Sequence, residues 1–478
     1  MNILAIEIST SSAKAMLYSP EEGAKAVESI TFPPKSCDVM SQEPGDIYDL
    51  LKKCILSITD KTRNIDAIGV CTTWHTILFL GQNHNPLGRI YTWAHNKASV
   101  IVENYRRDDG FKKWYYNKTG CMVNSTYPLW QYIYFRDTKS PMCNEKALIS
   151  SQQAFIFEKL TGEFVMSKTT AAGSGFLNIK SLSWDKDILD FAGLKEEQLP
   201  ALKEPTYSAP LKQEVASELN LPPGIPVVLG GADGAMNQIG DGAVKHGFMT
   251  FSVGTSGALR MVADQPILPN QPSTWCYYLI DDMWIAGAAT SGAGNCVDWF
   301  IKKHSFGEVK LKHDDLGQKL HEVDRDDAPI FMPFLYGERC PGWRDDRRGA
   351  FYNLTGKHGL VDMYYAVLEG VLFNLYHCFR LLTRDIGKPS KVIISGGIEH
   401  SQEWLQMASD IFQTELAVSQ VQHASLLGTA VLTLKAVGGI PSLAYHTPTP
   451  KRIIKPQEDL AELFHKRFEK YLEIYNKC

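Results

Sequence analysis

Residues 230–261, GGADGAMNQIGDGAVKHGFMTFSVGTSGALRM, hold eight glycines, the carboxylate of Asp233 set among them, and a hydroxyl-bearing turn at Thr255 and Ser256. The apolar run 225–229 enters Gly-Gly-Ala-Asp-Gly, so a strand delivers Asp233 from a turn with almost no side-chain bulk around it. Such a turn suits a carboxylate that must meet a ligand. Residues 250–263 then read as strand, tight turn and strand, with Gly254-Thr255-Ser256-Gly257 as the turn. Backbone N–H groups and hydroxyls converging at one turn are suited to holding phosphate oxygens. The N-terminus repeats the design: Ile8-Ser9-Thr10-Ser11-Ser12-Ala13 aligns with Val253-Gly254-Thr255-Ser256-Gly257-Ala258, each between β-rich runs. One Ser/Gly hairpin is ordinarily only a turn. Two of one design, far apart, indicate an internal duplication whose half-sites face each other across a cleft and grip a polyphosphate.

Other candidates lie where strands end. The strand at 65–70 runs into Cys71-Thr72-Thr73-Trp74-His75, which puts Trp74 and His75 at the edge of an α/β sheet, where ligands bind; packing at a sheet edge explains them as well. Trp93, in YTWAHNKA, and Tyr127, in NSTYPLW, add aromatic faces of the kind a polyol or sugar site uses. A strand at 391–394 empties into Ser395-Gly396-Gly397 ahead of a helix at 402–412, so that a phosphate or a flat ligand can approach the backbone closely.

The elements that must carry these residues are those of an α/β protein. Helical periodicity is read at 44–59, 363–378, 426–436 and 459–475, the last as packing only. The segment 337–349, which holds Glu338, Arg339 and Arg348, reads as a charged loop, with Arg339 by default a solvated cation, although it could hold an anion. With 478 residues, 44% hydrophobic and 21% charged, the chain is long enough for two or three domains with full cores. A net charge of −4 points to neither nucleic acid nor an anionic membrane. The ten cysteines include no C-x-x-C pair and no Cys/His cluster at metal-ligand spacing, which indicates a reducing compartment. No stretch looks like a signal peptide or a membrane span, and the expected location is the cytoplasm.

Taken in order, LAIEISTSSAKA, Trp93 to Asn96, STYPLW, GGADG, VGTSGA, GERCPGW and SGG resemble the FGGY family of carbohydrate kinases over roughly residues 1–435. The resemblance implies an α/β fold of two actin-like ATPase, ribonuclease H-like, domains with a cleft between them. The expected divisions are 1–243 for the sugar-binding domain, 244–440 for the ATP-binding domain and 441–478 for a helical extension packed on them. It implies ATP and Mg²⁺, with Asp233 as the catalytic base and, with Glu7, on the metal side. Thr10, Ser11, Ser12 and Lys14 would meet the transferring phosphate on one side, and Gly254, Thr255 and Ser256 on the other, while Gly396 and Gly397 take the adenosine side. Trp74, His75, Trp93, Tyr127 and Asp233 would form the substrate side.

Two departures stand out. The family's N-terminal Asp is Glu7 here, and its Trp-x-Asp-x-Arg is Trp93-Ala94-His95-Asn96-Lys97. GTSGALR and LEGVLFNLY most resemble gluconate kinases, and Lys97 or Arg339 could pair with a substrate carboxylate. The expected acceptor is therefore a sugar or sugar acid, gluconate-like first, with D-xylulose or another ketose or polyol as the alternative. A catalytically impaired nucleotide- or sugar-binding protein on the same scaffold is the alternative of another class. Expected partners are the small-molecule acceptor and ATP, with no nucleic acid and no membrane, and a homodimer is left open. The glycines at 240–247 suggest a hinge for domain closure.

Overall fold

The computed structural model describes residues 1–305 and 310–477. They form two compact units: Met1–Val244 with Asp264–Ile285 and Val421–Thr447, and Lys245–Ala263 with Ala286–Gln420 and Pro448–Cys478, whose last residue lies outside the described ones. The first cut falls one residue from the expected 243/244. Beyond it the division differs from the expectation, because residues 264–285 and 421–447 return to the first unit and the final helix is part of the second.

The first unit is built on β1 (Ile3–Ile8), β2 (Ser12–Ser19), β3 (Gly23–Thr31), α1 (Pro44–Thr59), β4 (Ala67–Thr72), β5 (Ser208–Pro210), β6 (Pro226–Ala232) and α2 (Asp233–Gly240). Its sheet has the order β5-β6-β4-β1-β2-β3. β1, β4 and β6 run parallel, and β1 is buried along its whole length, which is why it reads as an almost unbroken apolar run. Alternate side chains of β1 serve opposite faces. Leu4, Ile6 and Ile8 join the core with Ile47, Leu51 and Ile55 of α1. Ile3 and Ala5 join Leu426, Ala430 and Leu434 of the helix Ala424–Ala436. By the same alternation Glu7 belongs to the face that this late helix covers. Glycines admit the helix: a Cβ on Gly240 would lie 1.9 Å from the Ala424 carbonyl oxygen, and one on Gly428 1.8 Å from that of Met236.

The second unit repeats the hairpin with β7 (Phe248–Val253) and β8 (Gly257–Ala263), followed by β9 (Met283–Thr290, of which residues from Ala286 onward belong to this unit), α3 (Gly294–His304), α4 (Leu360–Ile386), β10 (Lys391–Ser395), α5 (Gln402–Phe412), β11 (Leu416–Val418), β12 (Arg452–Ile454) and α6 (Ala461–Lys477). The strand order is β9-β8-β7-β10-β11-β12, with β7 parallel to β10 and antiparallel to β8. Each unit thus has an antiparallel hairpin whose first strand is flanked by a parallel strand. The two turns differ by one residue in pairing: Ile8 faces Ala13, whereas Val253 faces Gly257.

The charged loop expected at 337–349 is solvated in part, with Arg344, Asp345, Asp346 and Arg348 exposed and Arg339 half-buried, but two of its charges turn inward. Glu338 and Arg347 are buried 3.3 Å apart. Tyr475 of α6 donates to Glu338 at 2.6 Å, and Arg347 donates to the Tyr475 carbonyl oxygen at 2.9 Å. Arg467, also on α6, forms a two-pronged pair with Glu369 of α4, both contacts at 2.6 Å. The last helix therefore does more than pack, because its Arg467 neutralises one buried carboxylate and its Tyr475 hydrogen-bonds a second.

Candidate functional site

Parallel pairing sets Ile8, Thr72 and Ala232 side by side at the ends of β1, β4 and β6. The next residues of each chain are therefore Ser9, Thr73-Trp74 and Asp233. β6 shifts register between Val228 and Gly231, and Gly230 between them has φ +67°, with room for no side chain because a Cβ would stand 1.9 Å from the Val70 carbonyl oxygen. Beyond this kink Asp233 opens α2, half-buried, and its Oδ1 accepts from its neighbour Gly234 N–H at 2.7 Å and more loosely from Trp74 N–H at 3.4 Å.

Glu7 lies next to Cys71 in the sheet register and is 4% exposed. Its Oε2 accepts from Lys14 Nζ, its partner across the hairpin, at 3.3 Å. The same oxygen accepts from Ser425 Oγ at 2.9 Å. The carboxylates of Glu7 and Asp233 both act on the Cys71 thiol, which burial first and then these two charges hold well above its usual range.

The first loop is fixed from below by two fully buried glutamines. Gln152 donates to Gln42 at 2.5 Å, and Gln42 donates to the carbonyls of Ser9 and Thr10 at 2.8 and 2.9 Å. Gln152 also accepts from Thr73 N–H at 3.0 Å, so one relay ties the loops after β1 and β4. Ser9 and Ser12 close the turn between their hydroxyls at 2.9 Å, which leaves Thr10 and Ser11 at its tip, where Trp93 Nε1 donates to Thr10 Oγ1 at 3.2 Å. Neither glutamine stands in a motif; each reveals itself only by where its amide ends up.

Trp74 and His75 belong to an aromatic wall. The Trp74 ring lies 5.0 Å from Tyr277, and His75 lies 5.1 Å from Tyr127 and 5.8 Å from Tyr277. Tyr277 donates to the Tyr127 hydroxyl at 2.9 Å, Trp74 Nε1 to the Thr169 carbonyl at 3.2 Å, and His75 Nδ1 to the Gly173 carbonyl at 2.6 Å. Trp275 stacks on Tyr277 at 4.3 Å. Both sit on the strand Trp275–Ile280, which alternation puts on one face and which belongs to this unit. That pattern was readable as a strand; its return to the first unit was not. His95, by contrast, is a core residue, stacked on Phe135 at 5.3 Å and 3% exposed, and burial lowers its pKa to about 4.

In the second unit Val253, Gly254, Thr255, Gly294, Tyr364 and Gly397 are among the residues around a cavity of about 420 Å³. Gly254 N–H and the Ser256 carbonyl close the turn at 3.0 Å, leaving Thr255 and Ser256 exposed. The first residues of α3 hold this turn: Gly294 and Asn295 donate to the carbonyls of Gly254 and Thr255 at 2.9 and 3.1 Å. Gly396 has φ +100°, and a Cβ there would lie 2.5 Å from the Val253 carbonyl oxygen, so only glycine lets the two loops meet. The polar rim includes Asp298, His313, Asp314, His400, Ser401 and Glu403.

Glu7, Thr10, Ser11, Ser12, Lys14, Trp74, His75, Trp93, Tyr127 and Asp233 thus lie in the first unit, and Gly254, Thr255, Ser256, Gly396 and Gly397 in the second. No helix among the described residues is long and apolar enough to cross a membrane.

Residues 2–240 match the N-terminal domain, and residues 249–437 the C-terminal domain, of the FGGY family of carbohydrate kinases. A gluconokinase of Bacillus subtilis is 30% identical over 458 residues, which is 92% of this chain and 88% of that protein. The crystal structure of a gluconate kinase from Lactobacillus acidophilus has a TM-score of 0.94 at 29% identity, covering 100% of this chain and 98% of that one. A ligand-bound xylulose kinase from the same organism has the same TM-score, identity and coverage. The chain belongs to the FGGY family of carbohydrate kinases, phosphotransferases of mixed α/β, two-domain architecture.

Proposed function

We propose that the chain transfers the γ-phosphate of ATP to a hydroxyl of a sugar acid, gluconate first, with Asp233 accepting the hydroxyl proton as the oxygen attacks. The observation that carries the base assignment is the placement of Asp233: a half-buried carboxylate at a kinked strand end, next to the aromatic wall of Trp74, His75, Tyr127 and Tyr277. Gluconate as acceptor rests on the likeness to the two gluconate kinases. Phosphoryl transfer needs a positioned acceptor and donors around the phosphate more than covalent help. In this reading the ring faces of the wall meet the C–H faces of the acceptor. Thr10, Ser11 and Ser12 meet the transferring phosphate, Thr255 and Ser256 meet the phosphates from the nucleotide side, and the cavity beside Gly397 takes the nucleoside.

Magnesium, when bound, would supply positive charge that offsets the charge of the phosphate oxygens. Among the described residues no group of three or more His, Cys, Asp or Glu is placed to hold a metal ion. Mg²⁺ ordinarily takes only one or two protein carboxylates, the rest coming from substrate phosphates and water. Glu7 fits this role, since its Oε2 is occupied by Lys14 and Ser425 while Oε1 has no partner among the described residues. Asp233 is the second carboxylate.

ADP release should be measured with ATP, Mg²⁺ and a panel of gluconate, D-xylulose, D-ribulose and glycerol. Gluconate should give the highest kcat/KM. Preference for D-xylulose, which the equally similar xylulose kinase supports, would overturn the choice of acceptor but not the chemistry. No turnover with any acceptor would favour a binding protein on this scaffold.

A further inference from the structure

The geometry points to Ser425 as a positioning residue of the phosphoryl-transfer site, one that acts through Glu7. It stands 418 residues from Glu7 in the chain. It is the second residue of the helix Ala424–Ala436 and is 7% exposed. The inference rests on the reading of Glu7 as the metal-side acid.

The side-chain alternation of β1 turns Glu7 toward this helix, beside Ile3 and Ala5, which already pack on it. There the carboxylate meets the first turn of a 13-residue helix, whose N–H ends favour negative charge. Ser425 Oγ and Lys14 Nζ approach the same oxygen, Oε2, at 2.9 and 3.3 Å. Two donors on one oxygen fix the plane of the carboxylate and leave Oε1 as the atom available to a metal-bound water or a phosphate-side donor. A carboxylate that ligates metal is ordinarily held by such outer partners, and their loss typically lowers metal affinity or activity by about 10–100-fold.

This arrangement also accounts for Glu where the family resemblance leads one to expect Asp. One methylene fewer withdraws the carboxylate by about 1.5 Å. From a 2.9 Å contact that retreat would break the bond to Ser425. The longer side chain and Ser425 therefore act as a matched pair in this chain.

The test uses the full-length protein and the variants Ser425→Ala, Ser425→Cys, Ser425→Thr, Glu7→Asp and Glu7→Gln. Two readouts are taken: Mn²⁺ binding in the presence of a non-hydrolysable ATP analogue and absence of acceptor, and the Mg²⁺ dependence of kcat against acceptor KM. Ser425→Ala and Ser425→Cys should weaken Mn²⁺ binding by about 10–100-fold while leaving acceptor KM unchanged, and Ser425→Thr should restore it. Ser425→Cys preserves the volume and removes the strong donor, so that a packing defect in the alanine variant cannot mimic the result. Glu7→Asp should lose as much as Ser425→Ala, and the double variant no more than either. Full Mn²⁺ affinity in the cysteine variant overturns the inference if Glu7→Gln has lost it. If Glu7→Gln also binds normally, the metal-side reading of Glu7 fails, and this inference with it.

Discussion

Replacing Arg467 with Leu should destabilise the second unit more than any surface change, and replacing its partner as well should recover most of the loss. Arg467 is 2% exposed and Glu369 is fully buried. The guanidinium meets both carboxylate oxygens at 2.6 Å and donates to the Ala328 and Pro329 carbonyls at 3.1 and 3.3 Å. After Arg467→Leu, Glu369 would keep, among the described residues, only the Tyr365 hydroxyl at 3.2 Å, and the carbonyls of Ala328 and Pro329 would lose the Arg467 donor. Removing one partner of a buried ion pair typically costs about 3–5 kcal/mol. For a unit of this size that is a fall in Tm of about 6–20 °C, at about 2–4 °C per kcal/mol. With Glu369→Leu added neither charge of this pair remains, and the pair of substitutions should cost far less than the sum of the singles. Calorimetry of the wild type, both single variants and the double variant measures this coupling. A single variant that melts within about 2 °C of wild type, or a double variant whose losses simply add, would refute the account of α6 as a charge-neutralising strap.

Asp233→Asn should lower kcat by about 10²–10⁴-fold and leave binding of an ATP analogue unchanged, which equilibrium dialysis and steady-state kinetics check together. Gly396→Ala should weaken that nucleotide binding, because its Cβ would lie 2.5 Å from the Val253 carbonyl oxygen at a φ of +100° that alanine resists; isothermal titration reads it. His95 predicts an acid limb in stability. Its pKa falls from 6.5 unfolded to about 4 folded, chiefly through burial. The unfolded chain therefore binds the extra proton between those values, and stability is lost as pH falls from about 6.5 toward about 4. His95→Phe, which keeps the stack on Phe135 and removes an imidazole whose Nδ1 has no partner among the described residues, should flatten that limb in urea titrations at stepped pH.

What could be read in advance was what the backbone sets locally. An apolar run into Gly-Gly-Ala-Asp-Gly announces a carboxylate at a strand end, and the structure adds the reason for the first glycine, a kink against Val70. The two hairpins were legible because serine and glycine turns are written in consecutive residues. Charge without context did not foretell the buried pair within 337–349, since nothing near Glu338 in the sequence announces that Tyr475 and Arg347 will follow it into the interior. Gln42 and Gln152 were invisible for the same reason: a glutamine carries no periodicity, and its meaning lies in a partner 110 residues away. Glu7 shows the boundary most clearly. Its departure from the family's Asp was plain in the sequence, whereas the group that accommodates it sits on a helix that returns to the first unit from residue 421 onward. A single substitution in a motif looks like damage when it is read alone. Here the carboxylate that the added methylene extends accepts from Ser425 Oγ at 2.9 Å, so the motif's change is matched by a contact that only the folded chain makes.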